Sequence, residues 1–203
     1  LPMSLVIIQP DLGTSILISI SGIIVLWFAG LNHKYFFYSF LISLISLPFI
    51  ISFLKPYQKM RVLTFLNPDR DPLGAGYQII QSKIAVGSGG IFGKGFLQGT
   101  QSYLEFLPEK HTDFIFTLFS EEFGFLGSVL LLLLYAIIIY RVVKIGVISR
   151  SYFAKLFCYS FGASLFVYIF INMSMVLGLL PIVGSPLPIM SYGGSSMLAT
   201  MIG

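Results

Sequence analysis

Of 203 residues, 56% are hydrophobic and only 10% charged, and the mean hydropathy is +0.91. Soluble domains carry about 25% charged residues, so an ordinary cytosolic globule, a disordered chain and a disulfide-rich secreted scaffold are excluded, and a bilayer is the solvent this composition suits. The net charge of +4 comes from 12 Lys/Arg against 8 Asp/Glu, so the placement of these few charges carries more information than their sum.

In chain order, residues 1–10 read as the end of one membrane span. The start at Leu1-Pro2 and the uncharged run ending at Gly203 lead to the expectation of a fragment of a longer membrane protein. Crossing ~30 Å of hydrocarbon takes ~20 helical residues, and backbone groups are satisfied there only in helices or closed barrels. Residues 12–31, 35–54, 123–140 and 156–180 form four charge-free runs of suitable length. They lack the alternation of barrel strands and therefore read as helices, the second expected to kink at Pro48. Residues 187–203 begin a sixth span. Cys158 is the lone cysteine, which leaves no disulfide pair and no zinc site.

Cations set the orientation. Arg141, Lys144, Arg150 and Lys155 flank one connection and Lys34 another, with no acid in either, so both connections are expected on the cytoplasmic side. The stretch 55–122 then faces the other compartment, where seven Lys/Arg balance seven Asp/Glu. The fold class is an all-α polytopic membrane protein, one domain over residues 1–203. It has a large outer loop at about 55–122 and a shorter one near 178–194.

Within the large loop, Gly87-Ser88-Gly89-Gly90-Ile91-Phe92-Gly93-Lys94-Gly95 matches neither a dinucleotide fingerprint nor a P-loop, since glycine is missing at Phe92 and Ser88 and a hydroxyl at Gly95. It reads as a flexible turn following an amphipathic helix over residues 77–86, with Tyr77, Ile80 and Ile84 on the face laid on the membrane surface. Asp69-Arg70-Asp71 has a D-x-D form capable of sharing a divalent ion, but Pro68 and Pro72 favour a solvated turn.

The segment Glu105-Phe106-Leu107-Pro108-Glu109-Lys110-His111-Thr112-Asp113 gathers three carboxylates, a lysine and a histidine just before the chain re-enters the bilayer. Glu109, Asp113 and Thr117 follow at helical spacing, with Ser120 and Glu121 continuing that face. A carboxylate at an apolar boundary suits a general base, because desolvation raises its proton affinity. Acids in a first helical turn also simply complement the macrodipole, and His111 with Asp113 is a thin metal pair. Pro181, Pro186 and Pro188 break the helix near residues 178–188, where irregular backbone and Ser191-Tyr192-Gly193-Gly194 form either a pocket wall or an outer turn.

Gln9-Pro10-Asp11-Leu12-Gly13-Thr14-Ser15, Asp71-Pro72-Leu73-Gly74-Ala75-Gly76-Tyr77-Gln78, Leu104-Glu105 through Asp113-Phe114, Glu121-Glu122-Phe123-Gly124 and Pro186-Leu187-Pro188 followed by Ser191-Tyr192-Gly193-Gly194 occur in an order that resembles the SEDS family of shape, elongation, division and sporulation proteins. Gly99-Thr100-Gln101-Ser102 and Gln81-Ser82-Lys83-Ile84 resemble its elongation branch.

The resemblance implies a ten-span helical bundle, of which four complete spans and two partial ones are present. It implies peptidoglycan glycosyltransfer in the bacterial cytoplasmic (inner) membrane. Lipid II, an undecaprenyl-pyrophosphate disaccharide-peptide, would be polymerised in company with a class B penicillin-binding protein and other elongation-machinery membrane proteins, without nucleic acid. Asp113 matches the essential acid and Glu105 a second sensitive one. Glu109, His111, Lys110 and Lys83 are weaker candidates for substrate, metal or loop support, and a divalent cation (Mg or Mn) is implied with unknown ligands.

Two rival functions stand beside this one. A lipid II flippase would need polar or ionisable groups inside the spans, where Asn172, Ser15, Ser19 and Ser21 are present but no charge is found. A scaffold that only activates the penicillin-binding protein explains the apolar spans but not the acids at Glu105, Glu109 and Asp113.

Overall fold

The computed structural model describes residues 5, 6, 9, 12–53, 55–71, 74–100 and 111–202. Glu105, Glu109 and Lys110 lie outside these described residues, as do Pro108 and most of the run 1–10.

Every regular element among the described residues is helical: α1 (Leu12–Phe28), α2 (His33–Phe53), α3 (Pro56–Leu66), a 3-10 turn (Pro68–Arg70), α4 (Ala75–Ser88), α5 (Ile115–Ile148), α6 (Tyr152–Val176) and α7 (Gly194–Ile202). The four apolar runs carry α1, α2, α5 and α6. Two of these, α5 and α6, are long and apolar enough to cross a membrane. Helix α2 continues through Pro48.

α5 and α6 form the central antiparallel pair, with α1 on the outer side of α6 and α4 wedged against both. Apolar side chains gain little by leaving lipid for each other, so close packing rather than hydrophobicity joins such helices. Small residues do this here: Gly162 faces Val142, Val143 and Ile139, while Gly146 faces Cys158 and Tyr159. The buried core, built on Phe114, Phe116, Tyr135, Ile169, Met173, Met175, Val176 and Leu187, sits at the end of the pair that carries the loops.

Asp71 starts α4. Its carboxylate accepts the Ala75 N–H at 2.9 Å and its carbonyl accepts the Tyr77 N–H at 3.1 Å, the work of a helix-capping turn. Asp69 is exposed in the 3-10 turn. The turn reading of D-x-D therefore describes what Asp71 does.

α4 buries one face against the protein and leaves Ile84, on the face expected at the membrane surface, uncovered. Ile79, Ser82 and Ala85 are enclosed, whereas Ile84 is 48% exposed. A serine tolerates this burial because its hydroxyl donates to the Val176 carbonyl at 2.7 Å, tying α4 to the end of α6. α4 is thus part of the protein packing rather than a helix lying only on a membrane surface.

The glycine stretch is likewise a clamp rather than a flexible turn. α5 breaks at Gly124, whose φ of 66° and ψ of −163° belong to a region open essentially to glycine alone. The break frees the carbonyls of Glu121 and Glu122 and the N–H groups of Phe125 and Leu126. All four are reclaimed by the glycine stretch. Lys94 N and Gly95 N donate to Glu121 O and Glu122 O at 3.0 Å each, and Phe125 N and Leu126 N donate to Gly90 O and Ile91 O at 2.9 and 3.1 Å. A side chain at Gly93 would collide with the Glu122 carbonyl, and one at Gly124 with Gly93 N.

At the far end, α6 closes with Gly178 at φ 66°. Gly178 N donates to Met175 O at 2.9 Å and Leu179 N to Ser174 O at 2.7 Å, a Schellman ending that turns the chain sharply into residues 179–193.

Candidate active site

Asp113 lies in the turn 111–114, one residue before the N-cap Phe114, so it stands ahead of the regular helix and not on the helical face it was expected to share with Thr117. The bonds that hold this turn come from outside it. His111 O accepts the Tyr192 N–H at 2.9 Å, Thr112 O accepts the Ser191 hydroxyl at 2.7 Å, and Asp113 O accepts Asn172 Nδ2 at 2.8 Å. Three consecutive carbonyls are thus fastened to the loop 185–192 and to α6.

The loop is braced in turn. Asn172 Nδ2 also donates to Ser185 O at 2.7 Å, Ser191 Oγ accepts the Leu187 N–H at 2.7 Å, and the Tyr135 hydroxyl donates to Pro188 O at 2.6 Å. Residues 189–194 line the cavity beside the turn, while Pro186 and Pro188 line a separate apolar pocket with Phe161, Leu165 and Tyr168. Gly184 faces Asp113, and a Cβ there would stand 3.5 Å from Asp113 Oδ2. Gly184 itself brings no side chain against the carboxylate. Beside the turn, an open cavity of ≈ 600 Å³ is lined by His111, Ile115, Met190, Ser191, Tyr192 and Met197. Gly13 at the start of α1 packs against the Val183 carbonyl, and Arg61 Nη1 reaches Ile182 O at a long 3.4 Å.

The other sequence candidates fall as follows. His111 is exposed at the cavity and holds Tyr192 through its carbonyl. The Lys83 side chain lies across Gly178, six residues along the loop from Gly184. Thr117, Ser120 and Glu121, expected to continue the acidic face, are all buried. Glu121 is 0% exposed and ion-paired to Lys94 at 2.7 Å, with Thr100 donating to the same carboxylate oxygen at 3.0 Å. Among the described residues no three His, Cys, Asp or Glu side chains gather to hold a metal ion, and the acids Glu105 and Glu109 of the same segment lie outside those residues.

Sequence reasoning did not connect Asn172 or Ser191 with Asp113. The one signal available was an amide isolated in a 25-residue apolar helix, since a buried amide in such surroundings needs partners. Lys94 attracted attention only as part of a failed phosphate motif.

Comparison with known proteins places the chain in a family. The family profile for FtsW, RodA and SpoVE, described as cell cycle protein, matches residues 1–203. The peptidoglycan glycosyltransferase MrdB of Escherichia coli (strain K12) is 49% identical over 204 residues, which cover 100% of this chain and 55% of that protein. The peptidoglycan glycosyltransferase RodA of Treponema pallidum (strain Nichols) is 40% identical over 188 residues, 90% of this chain and 43% of that one. A solved chain of a peptidoglycan synthase complex, in which polymerisation and crosslinking are structurally coordinated, superposes with a TM-score of 0.77 at 35% identity. The superposition covers 98% of this chain and 55% of that one. The chain spans about half the length of the curated relatives it matches. It is a membrane protein and belongs to the FtsW, RodA and SpoVE family, the SEDS proteins of the cell cycle.

Proposed function

We propose that this chain forms the catalytic half of a peptidoglycan glycosyltransferase that polymerises lipid II for cell elongation, with Asp113 as general base. The observation that carries this reading is the fastening of residues 111–113 to α6 and the loop 185–192, which leaves the Asp113 carboxylate facing the bare backbone of Gly184. A base must lie within about 2.6–3.2 Å of the group whose proton it takes, so a carboxylate held on a rigid turn is what the chemistry requires. The relatives' printed activity, peptidoglycan glycosyltransfer, supports the same reaction class.

In this mechanism the Asp113 carboxylate accepts the proton of the 4-hydroxyl of the acceptor's N-acetylglucosamine. The hydroxyl oxygen attacks the anomeric carbon of the donor, and undecaprenyl pyrophosphate leaves with inversion. The leaving group's negative charge calls for cations; Arg61, near Ile182, Lys83 over Gly178, and Lys110 are the loop cations to test. No step is routed through a divalent cation. A class B penicillin-binding protein is the proposed partner, the membrane is the bacterial inner membrane, and the stretch 55–122 faces the extracytoplasmic side.

The test uses the complete protein with its penicillin-binding partner and lipid II in detergent. Asp113→Asn is expected to lower glycan-strand formation by about 10²–10⁴-fold, the usual contribution of a general base. Unchanged polymer from this variant would overturn the assignment. Lipid II translocation in liposomes without polymerisation would point to a flippase, and activation of the partner alone to a scaffold.

A further inference from the structure

We infer that Asn172 is the positioning residue of this site: it sets the separation between the Asp113 carboxylate and the Gly184 backbone that faces it. The inference rests on the reading of Asp113 as a base and adds the residue that holds it.

Asn172 is 0% exposed, in the last two turns of α6, 59 residues from Asp113 in sequence. One nitrogen does all its work. Nδ2 donates to Asp113 O at 2.8 Å and to Ser185 O at 2.7 Å, so both N–H bonds of the amide are spent, one on each wall of the slot. Ser185 is the residue next to Gly184, where a Cβ would stand 3.5 Å from Asp113 Oδ2. A change at Asn172 therefore moves both walls, whereas loss of the Ser191 or Tyr192 bond releases only the neighbouring carbonyls.

The other half of the amide serves no purpose in the fold. Asn172 Oδ1 is buried and has no hydrogen-bond partner, and Ser185 Oγ beside it is in the same condition. Buried polar atoms without partners are uncommon in folded proteins and concentrate where function requires them. An apolar side chain would serve a mere packing role without that penalty. Asparagine is kept for its paired donors, which an isosteric aspartate or leucine lacks. Because Nδ2 bonds two acceptors, the assignment of its nitrogen and oxygen is fixed by the network and not arbitrary.

A displacement of about 1 Å at a reacting centre costs on the order of 100-fold in rate. The experiment measures lipid II polymerisation by the complete protein with its partner, as kcat and KM per folded molecule, alongside the thermal unfolding midpoint. Asn172→Asp keeps the volume and removes the paired donors; kcat is expected to fall about 100-fold, with KM for lipid II within about threefold of wild type. Asn172→Ser retains one hydroxyl donor, is used where Asn172→Asp does not accumulate, and is expected to recover part of kcat.

Ser82→Ala is the structural control. It deletes a comparably buried bond, to Val176 O at the end of the same helix, and is expected to lower the unfolding midpoint while leaving kcat within about twofold. Asn172 variants that behave like Ser82→Ala, losing midpoint but not kcat, would overturn the positioning role while leaving Asp113 untouched. Wild-type kcat in Asp113→Asn would remove the base itself, and the role proposed for Asn172 with it.

Discussion

Lys94 and Glu121 are predicted to respond unequally to substitution. Their atoms lie 2.7 Å apart, with Glu121 0% and Lys94 26% exposed, and Thr100 closes the triangle, accepting from Lys94 at 2.8 Å and donating to Glu121 at 3.0 Å. At an effective dielectric of ~20 the gross attraction at this distance is about 6 kcal/mol, much of it offset by the cost of drying the carboxylate. Lys94→Ala removes the ammonium from an enclosed carboxylate, a loss of about 3–5 kcal/mol. Glu121→Gln leaves an ammonium that already reaches water, and an amide oxygen still able to accept from it, so about 1 kcal/mol is lost. Neither change removes the backbone bond from Lys94 N to Glu121 O, so the difference of about 3 kcal/mol isolates the side chains. The double variant Lys94→Met/Glu121→Leu replaces charge by apolar volume and is expected to unfold close to wild type. Unfolding midpoints of the four purified proteins in one detergent give the order directly. Equal losses for the two single variants, or a larger loss for Glu121→Gln, would refute the reasoning.

Other expectations follow from single contacts. Gly124→Ala forces a β-carbon into the backbone of the glycine stretch at a φ that alanine does not adopt, and is expected to cost about 3 kcal/mol or more, whereas Gly87→Ala, in helical backbone with open space around it, should be neutral or stabilise by about 0.4–1 kcal/mol in the same unfolding assay. Tyr135→Phe removes the donor to Pro188 O and strands a buried carbonyl, lowering stability by about 1–3 kcal/mol without a new cavity.

The sequence showed the helices well because membrane physics leaves few choices. Long charge-free runs must be helical, and α1, α2 and α6 fall on the runs at 12–31, 35–54 and 156–180. α5 outruns its apolar stretch at both ends because the helix continues into polar surroundings on protein contacts, through Ser120 and Glu121 on one side and Arg141 and Lys144 on the other. Asp113 stood out through its neighbours in sequence and its motif. What escaped were partnerships across the fold: Asn172 with Asp113, Lys94 with Glu121, and the glycine stretch with the break at Gly124. Each depends on a contact between segments 27 or more residues apart, as in Lys94–Glu121, and one chain read by period and composition contains no signal for such pairing. Glycines are a further blind spot, since the same residue type serves a loose turn and a tight backbone contact.

The break at Gly124 also divides α5 into a length that suits a bilayer and a shorter piece that does not reach across one. The 34 residues of α5 would measure about 51 Å as one rod, well beyond the ~30 Å of a hydrocarbon core. Divided at the joint, residues 125–148 give a rod of about 36 Å, the length a tilted span needs, while residues 115–123 carry the buried Thr117, Ser120 and Glu121 as a separate cap. The glycine stretch bonds both sides of the joint, taking the Glu121 and Glu122 carbonyls of the cap and the Phe125 and Leu126 N–H groups of the span, so cap and span are each tied to the end of α4. The joint therefore sets the angle between span and cap, and Asp113, just ahead of the cap, keeps one register to the glycine stretch and to the span alike.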